Sequence, residues 1–340
     1  MLYSLQALRA FAAWVVVCHH FMQIFFDFKA SGPIGQLLTD RGAVGVDIFF
    51  VISGLVIYLS TRDKTIEPRQ FLLNRVLRIV PAYWFYTLAM AGLLLVASRW
   101  MPHQEFDWHH LLLSLLFVPA ENPGGYGLYP TLNVGWTLNF EMFFYLLFGL
   151  AFLVRQRHQL LLVTVALLLV SEVLGRLGVL SRFYNNDIIY EFLLGIGLGV
   201  LYRRGLIREG IWMPLALLAV AGYAIYHLDA SQRLLHWGLP SALVVLAFVS
   251  LEPLFAGNRL LKALGDCSYS VYLIHVLVLY AGWFASERLN LSPYAVFALC
   301  VPLIAGLSWA SYLLLEQRLY RRMSDWFEAR RSTPVAVTLS

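Results

Sequence analysis

Apolar residues run along this chain in long blocks separated by short polar breaks. About ten blocks are long enough to cross a bilayer, at roughly 5–27, 44–60, 77–98, 136–154, 159–175, 188–202, 211–228, 237–252, 268–286 and 293–315. Uninterrupted apolar runs of about 18 residues or more predict transmembrane helices rather than buried helices of a water-soluble core. The block at 188–202 is short and carries Gly195, Gly197 and Gly199, and the stretch from His109 to Val118 is too short to cross and reads as interfacial or re-entrant. The pattern therefore predicts an all-α, polytopic membrane protein. Its transmembrane domain covers 1–322, and a short tail, 323–340, is expected to be disordered. No repeat period and no water-soluble domain stand out.

Composition strengthens this reading. Of 340 residues, 60% are hydrophobic and only 13% charged. The 10 Trp, 18 Tyr and 23 Phe suit a protein with aromatic rings at both membrane interfaces. The formal net charge of +5 comes from dispersed basic residues, so it speaks for topology and not for a nucleic-acid partner. With the N-terminus in the cytoplasm, most Lys and Arg fall in cytoplasmic loops. These include Arg62, Lys64, Arg69, Arg75 and Arg78 after the second block, Arg203, Arg204 and Arg208 after the sixth, and Arg318, Arg321 and Arg322 at the end. This bias predicts both termini on the cytoplasmic side. The longest outer loop, about 99–135, holds the run ENPGGYGLYP, whose Gly and Pro density excludes helix. Cys18, Cys267 and Cys300 all lie in apolar blocks and read as small core residues, not as a disulfide framework. The first block lacks a basic leader and a cleavage site, so it is expected to stay as an anchor.

Within these blocks a few ionisable groups stand out, because charge inside a membrane is costly and marks candidate sites. The first block, LQALRAFAAWVVVCHHFMQIFF, contains Arg9 and His20. Residues eleven apart on a helix differ by about 20° in direction and roughly 16 Å in height. Arg9 and His20 thus share a face, while His19 points about 80° away. The second block opens GVGVDIFFVISG, with Asp47 near its outer end and Ser53 deeper. Asp47 suits a helix N-terminus; it reads equally well as part of a site and as a simple terminal charge. Arg75 and Arg78 are three apart, neighbours on one helix face at the cytoplasmic surface, where paired guanidinium groups suit phosphate. Both also fit ordinary positive-inside anchoring. GWTLNFEMFFYLL places Trp136 and Glu141 at the start of a block. Near the end, GDCSYSVYLIH puts Ser268, Tyr269 and His275 on one helix, with Ser268 and His275 on nearly one face. Glu316 reads as a surface anchor.

Arg9 with His20, GVDIFFVISG, the Arg75–Arg78 pair, GWTLNFEMFFYLL and GDCSYSVYLIH, in this order over residues 2 to about 316, resemble the acyltransferase-3 family of membrane acyltransferases. The GWTLNFEMFFYLLF version, with no appended extracellular domain, looks most like the exopolysaccharide O-acetyltransferases of the succinoglycan type. One departure is Arg318, where the family often has proline after the last-span glutamate.

The resemblance implies transfer of an acyl group, by default acetyl, from cytoplasmic acyl-CoA. The acceptor would be a hydroxyl of a surface polysaccharide or of its lipid-linked precursor. It implies a bacterial inner-membrane location, no metal, contact with membrane lipid, and room for a homo-oligomer. Under this reading His20 is the base or the acyl-accepting nucleophile, with Glu141 and Asp47 as catalytic helpers. Arg9, Arg75 and Arg78 hold the donor, and Ser53, Trp136, Ser268, Tyr269 and His275 are further candidates. The competing readings are a transporter or flippase of a lipid-linked glycan, with the charges lining a path, and a non-catalytic membrane scaffold.

Overall fold

A computed structural model describes residues 2–62, 64, 66–98, 101 and 105–332, the last three by their backbone only. Every regular element among them is helical. Helix α1 (Tyr3–Phe26) begins without a capping side chain of its own. Its first free N–H groups, on Tyr3 and Ser4, each donate over 2.8 Å to the carboxylate of Glu252, on the short helix α11 (Glu252–Phe255). A carboxylate there also complements the positive end of the helix dipole. The helix stops at Asp27, which adopts a left-handed conformation and turns its N–H back to Gln23.

Helix α2 (Pro33–Arg41) is a short surface turn that the apolar pattern does not reveal. Helix α3 (Val44–Thr61) is the centre of the bundle, and 13 of its 18 residues are buried. It lies along α8 (Glu191–Arg203) at a distance only glycine permits. A Cβ on Gly195 would sit 2.0 Å from the Val51 carbonyl oxygen, and one on Gly54 would sit 2.1 Å from that of Phe192. This is small-residue packing of the kind that brings membrane helices together.

Helix α4 (Pro68–Ala97) starts nine residues before the predicted block, because Pro68 is a favourable first residue and the polar turn 69–75 simply continues the helix. Arg75 and Arg78 are therefore inside a helix. Helix α5 (Trp108–Leu115), capped by Asp107, has eight residues and does not cross. Helices α6 (Trp136–Ala151) and α7 (Gln156–Leu168) form a hairpin, and a π-helical turn extends α7 to Leu174. Helices α9 (Trp212–His227) and α10 (Leu239–Ser250) pair on the far side of α3, and α10 is entered through a second π-helical turn, Leu234–Gly238. Helix α12 (Arg259–Asp266) lies under α1, and α13 (Ser268–Leu289) packs against both α1 and α14 (Pro293–Ser311). A third π-helical turn, Tyr312–Leu319, leads from α14 into α15 (Tyr320–Ser332).

Among the described residues, seven helices are long and apolar enough to cross a membrane. Three of the ten predicted blocks fall short. α8 has 13 residues, or about 20 Å, against a hydrocarbon core of about 30 Å. α9 has 16 residues, and the segment Leu234–Ser250 is also brief. The tail differs from expectation as well: residues 323–332 continue the last helix, and 333–340 lie outside the described residues.

Candidate active site

The crossing of α1 and α13 joins two histidines 255 residues apart. His275 Nε2 lies 3.1 Å from His20 Nδ1, with ring centroids 5.0 Å apart. Each ring is also tied to its own helix one turn back. His20 Nδ1 is 3.0 Å from the Val16 carbonyl oxygen, and His275 Nδ1 is 3.1 Å from that of Val271. His275 is fully buried, whereas His20 is only partly so. His19 turns away, as its phase predicts, and bonds the Leu38 carbonyl over 2.9 Å. Its ring still stands edge-on to that of His20 at 5.5 Å.

A cavity of about 100 Å³ lies between α1, α3, α4, α6 and α13. Arg9, Arg75 and Arg78 line it, together with Ser53, Glu141, Ser268 and Tyr269. Among the described residues, none of these three guanidinium groups has a carboxylate within ion-pair distance. Arg75 stacks over the rings of Phe71 and Tyr145 at 5.2 and 5.4 Å, and its buried Nε has no acceptor among the described residues. Three guanidinium groups without an ion pair thus meet at one hollow, with Glu141 on its wall, and guanidinium geometry suits phosphate oxygens. Glu141 is held on the cavity wall by the Tyr145 hydroxyl and, over 3.3 Å, by Ser53 Oγ. Tyr269 anchors the opposite wall by donating to the Ile79 carbonyl over 3.0 Å, and Ser268 Oγ is buried with no partner among the described residues.

His20 and His275 do not line this cavity. Tyr272 stands between. It forms part of the wall, and its ring centroid is 5.9 Å from that of His275. Its hydroxyl is pinned, donating to the Val134 carbonyl over 2.9 Å and lying 2.9 Å from Thr137 Oγ1.

Two candidates fall elsewhere. Asp47 is fully buried and turned away from the cavity, gripped by Arg233 through two bonds of 2.9 and 2.8 Å. Trp136 does not line the cavity either; it lies under the Arg233 guanidinium at 5.9 Å. The resemblance gave Asp47 the part of a catalytic helper, but sequence could not show that Arg233, 186 residues away, would claim it. Glu316 is the residue it passed over. Presented on the π-helical turn, it accepts from Ser270 Oγ over 2.6 Å and lies close enough to Arg9 and Arg78 for their charges to interact. A carboxylate at the end of a membrane-spanning apolar block was the available signal.

A bundle that gathers three cations around one hollow, with paired imidazoles beyond it, has the parts of a membrane group-transfer enzyme. Residues 2–313 match the family model described as an acyltransferase domain, and the chain belongs to this acyltransferase-3 family. It is an integral membrane O-acyltransferase. It is similar to the exopolysaccharide production protein ExoZ of Rhizobium meliloti, with 32% identity over 87% of this chain and 94% of the relative. It also resembles the acyltransferase MdmB of Streptomyces mycarofaciens, at 29% over 82% of this chain and 79% of the relative. The O-acetyltransferase OatA of Staphylococcus aureus shares 25% identity over 90% of this chain and 55% of its own length. No solved structure matches the chain.

Proposed function

We propose that this enzyme moves an acetyl group from cytoplasmic acetyl-CoA to a sugar hydroxyl of an exopolysaccharide or of its lipid-linked precursor, in the bacterial inner membrane. The observation that carries this reading is the trio Arg9, Arg75 and Arg78 around one cavity, none of them in an ion pair among the described residues. A donor rich in phosphate answers that charge. The similarity to an exopolysaccharide production protein supports the acceptor class.

The chemistry needs a base for the hydroxyl proton and a path for the thioester. His20 serves as the base, since the lone pair of a neutral imidazole nitrogen can take the hydroxyl proton and pass it on. The hydroxyl proton goes to His20 as the oxygen attacks the thioester carbonyl. The C–S bond breaks, and the proton leaves His20 for the departing thiolate. Glu141 holds the cavity wall and the local charge balance. The pantetheine arm enters past Arg9 and displaces Tyr272 from Thr137 to bring the thioester to His20. In this topology both termini and the Arg75–Arg78 pair face the cytoplasm.

The test uses the purified protein in lipid nanodiscs with radiolabelled acetyl-CoA and isolated exopolysaccharide or its lipid-linked repeat unit. Label is expected on the glycan. His20→Ala should lower transfer by about 10²–10⁴-fold, the usual worth of a positioned base. Arg75→Ala and Arg78→Ala should raise the apparent KM for the donor. A folded His20→Ala protein with wild-type turnover rejects the base. Glycan movement across the bilayer without acyl transfer supports the transport reading instead.

A further inference from the structure

The donors and acceptors between His20 and His275 can be worked out one atom at a time. A carbonyl oxygen only accepts. His275 Nδ1, 3.1 Å from the Val271 oxygen, therefore carries a hydrogen. A neutral imidazole has one N–H, so His275 Nε2 presents a lone pair. That lone pair is 3.1 Å from His20 Nδ1. His20 Nδ1 must then carry the hydrogen of this contact, and it shares the same hydrogen with the Val16 oxygen at 3.0 Å. By elimination, His20 Nε2 has no hydrogen and is free to take one.

We propose that His275 is the positioning residue for His20. It accepts the Nδ1–H, aims the ring so that the Nε2 lone pair meets the acceptor hydroxyl, and steadies the imidazolium formed when that proton arrives. This rests on the acyl-transfer reading of His20 given above. It is the orienting role that a carboxylate fills for histidine in hydrolase triads, performed here by a second imidazole. His275 is fully buried, so it acts through His20 and does not meet substrate.

The surroundings leave the role to His275. On α1 the neighbouring titratable group is His19, occupied with Leu38. On α13 it is Tyr272, whose hydroxyl is occupied with Val134 and Thr137. Arg233, before α10, is near enough to interact with His19. Among the described residues no carboxylate bonds either ring of the pair. The two contacts to Val16 and Val271 are four residues back along each helix and would form in either helix alone. Only the contact between the rings depends on α1 crossing α13.

Two variants separate orientation from packing. His275→Gln keeps an acceptor near the same place, and His275→Phe fills the volume without one. Both are compared with wild type in nanodiscs, by steady-state acetyl transfer and by long-range proton–nitrogen correlation spectra of histidine-labelled protein. The His20 signals are assigned by their loss in His20→Gln. In wild type the spectrum should place the hydrogen on His20 Nδ1, with its resonance moved downfield by the bond to His275. His275→Phe should reduce that downfield shift to what the remaining Val16 bond gives, and lower kcat by about 100-fold with the donor KM unchanged. His275→Gln should keep the shift in part and recover at least tenfold of the lost kcat. The proposal is overturned if His20 carries its hydrogen on Nε2, if His275→Phe turns over like wild type, or if the two variants are equally impaired. The spectral arm does not depend on turnover. A wild-type protein with the Nδ1 signature but no transfer would sink the acyl-transfer reading and leave the pair intact.

Discussion

Arg233 and Asp47 show how one residue's meaning depends on a partner. Asp47 is fully buried, and its ionised carboxylate is tolerable because a guanidinium meets both oxygens. Removing one member of a buried pair leaves the other uncompensated, at a cost of about 3–5 kcal/mol. Arg233→Ala should therefore shift the melting temperature in detergent down sharply, and the paired Asp47→Asn, Arg233→Ala protein should recover part of the loss. Lysine at 233 should recover less than a planar fork would, since it cannot bridge two oxygens in parallel. A melting temperature unmoved by Arg233→Ala would show that the pair carries no stability. At this scale the sequence was informative about type and phase. The eleven-residue interval correctly separated His20 from His19, and the two bond different partners. It could not tell that Ser268 would face the cavity while His275, on nearly the same helix face and two turns on, would face α1.

The helices carry two further expectations. Close approach of α3 and α8 depends on Gly54 and Gly195, where a Cβ would collide with backbone oxygens that cannot move aside. Gly195→Val should thus destabilise by about 1–3 kcal/mol or more and reduce monodisperse protein on size-exclusion chromatography. Gly222→Ala, which meets nothing within 4 Å on α9, should be neutral. If Gly195→Val were as stable as wild type, the packing account of α8 would fail. The second expectation concerns His110 on α5, which braces the outer loop. It donates from Nε2 to the Tyr129 carbonyl over 3.1 Å and faces Thr131 Oγ1 from Nδ1.

Burial lowers the His110 pKa below the usual 6.5, with His109 adding to the shift and the Tyr129 bond and Asp107 opposing it. The unfolded chain therefore binds a proton that the folded one refuses. The stability His110 contributes is intact above pH 6.5 and declines as pH falls from there toward the lower folded value. Melting curves between pH 7.5 and pH 5, read against His110→Gln, should show a shallower acid loss in the variant. Equal slopes would remove His110 from the account. The motif run GWTLNFEMFF announced a helix, but the bracing of the loop before it required His110, Ser114 and Thr131 to meet across 21 residues.

For the whole molecule, the charge bias along the loops makes a directional claim. After Cys18, Cys267 and Cys300 are replaced by Ala, a single cysteine at Arg204 should react with an impermeant maleimide only in inside-out vesicles. One at Tyr126, in the outer loop, should react only in right-side-out vesicles. The opposite pattern would invert the topology and put Arg75 and Arg78 on the wrong side for a cytoplasmic donor.

Some of this protein was decided by one-dimensional information. Apolar blocks long enough to cross a bilayer, the cations at their ends, and the helical phase of Arg9 and His20 follow from chain geometry and from the cost of charge in hydrocarbon. Those features led to a membrane bundle, and the order of the motifs to a resemblance with the family to which the chain belongs. Tertiary structure decided what no interval encodes. It set which acids are consumed in structural pairs, as Asp47 is by Arg233, and which are brought toward the arginines, as Glu316 is by a π-helical turn. It also decided that His275 would be the group touching His20. The reason is that helix phase fixes the direction a side chain leaves its own axis, while its partner depends on where another axis crosses. That crossing is set by packing, here by glycines that let α8 press against α3 and by α13 lying across α1.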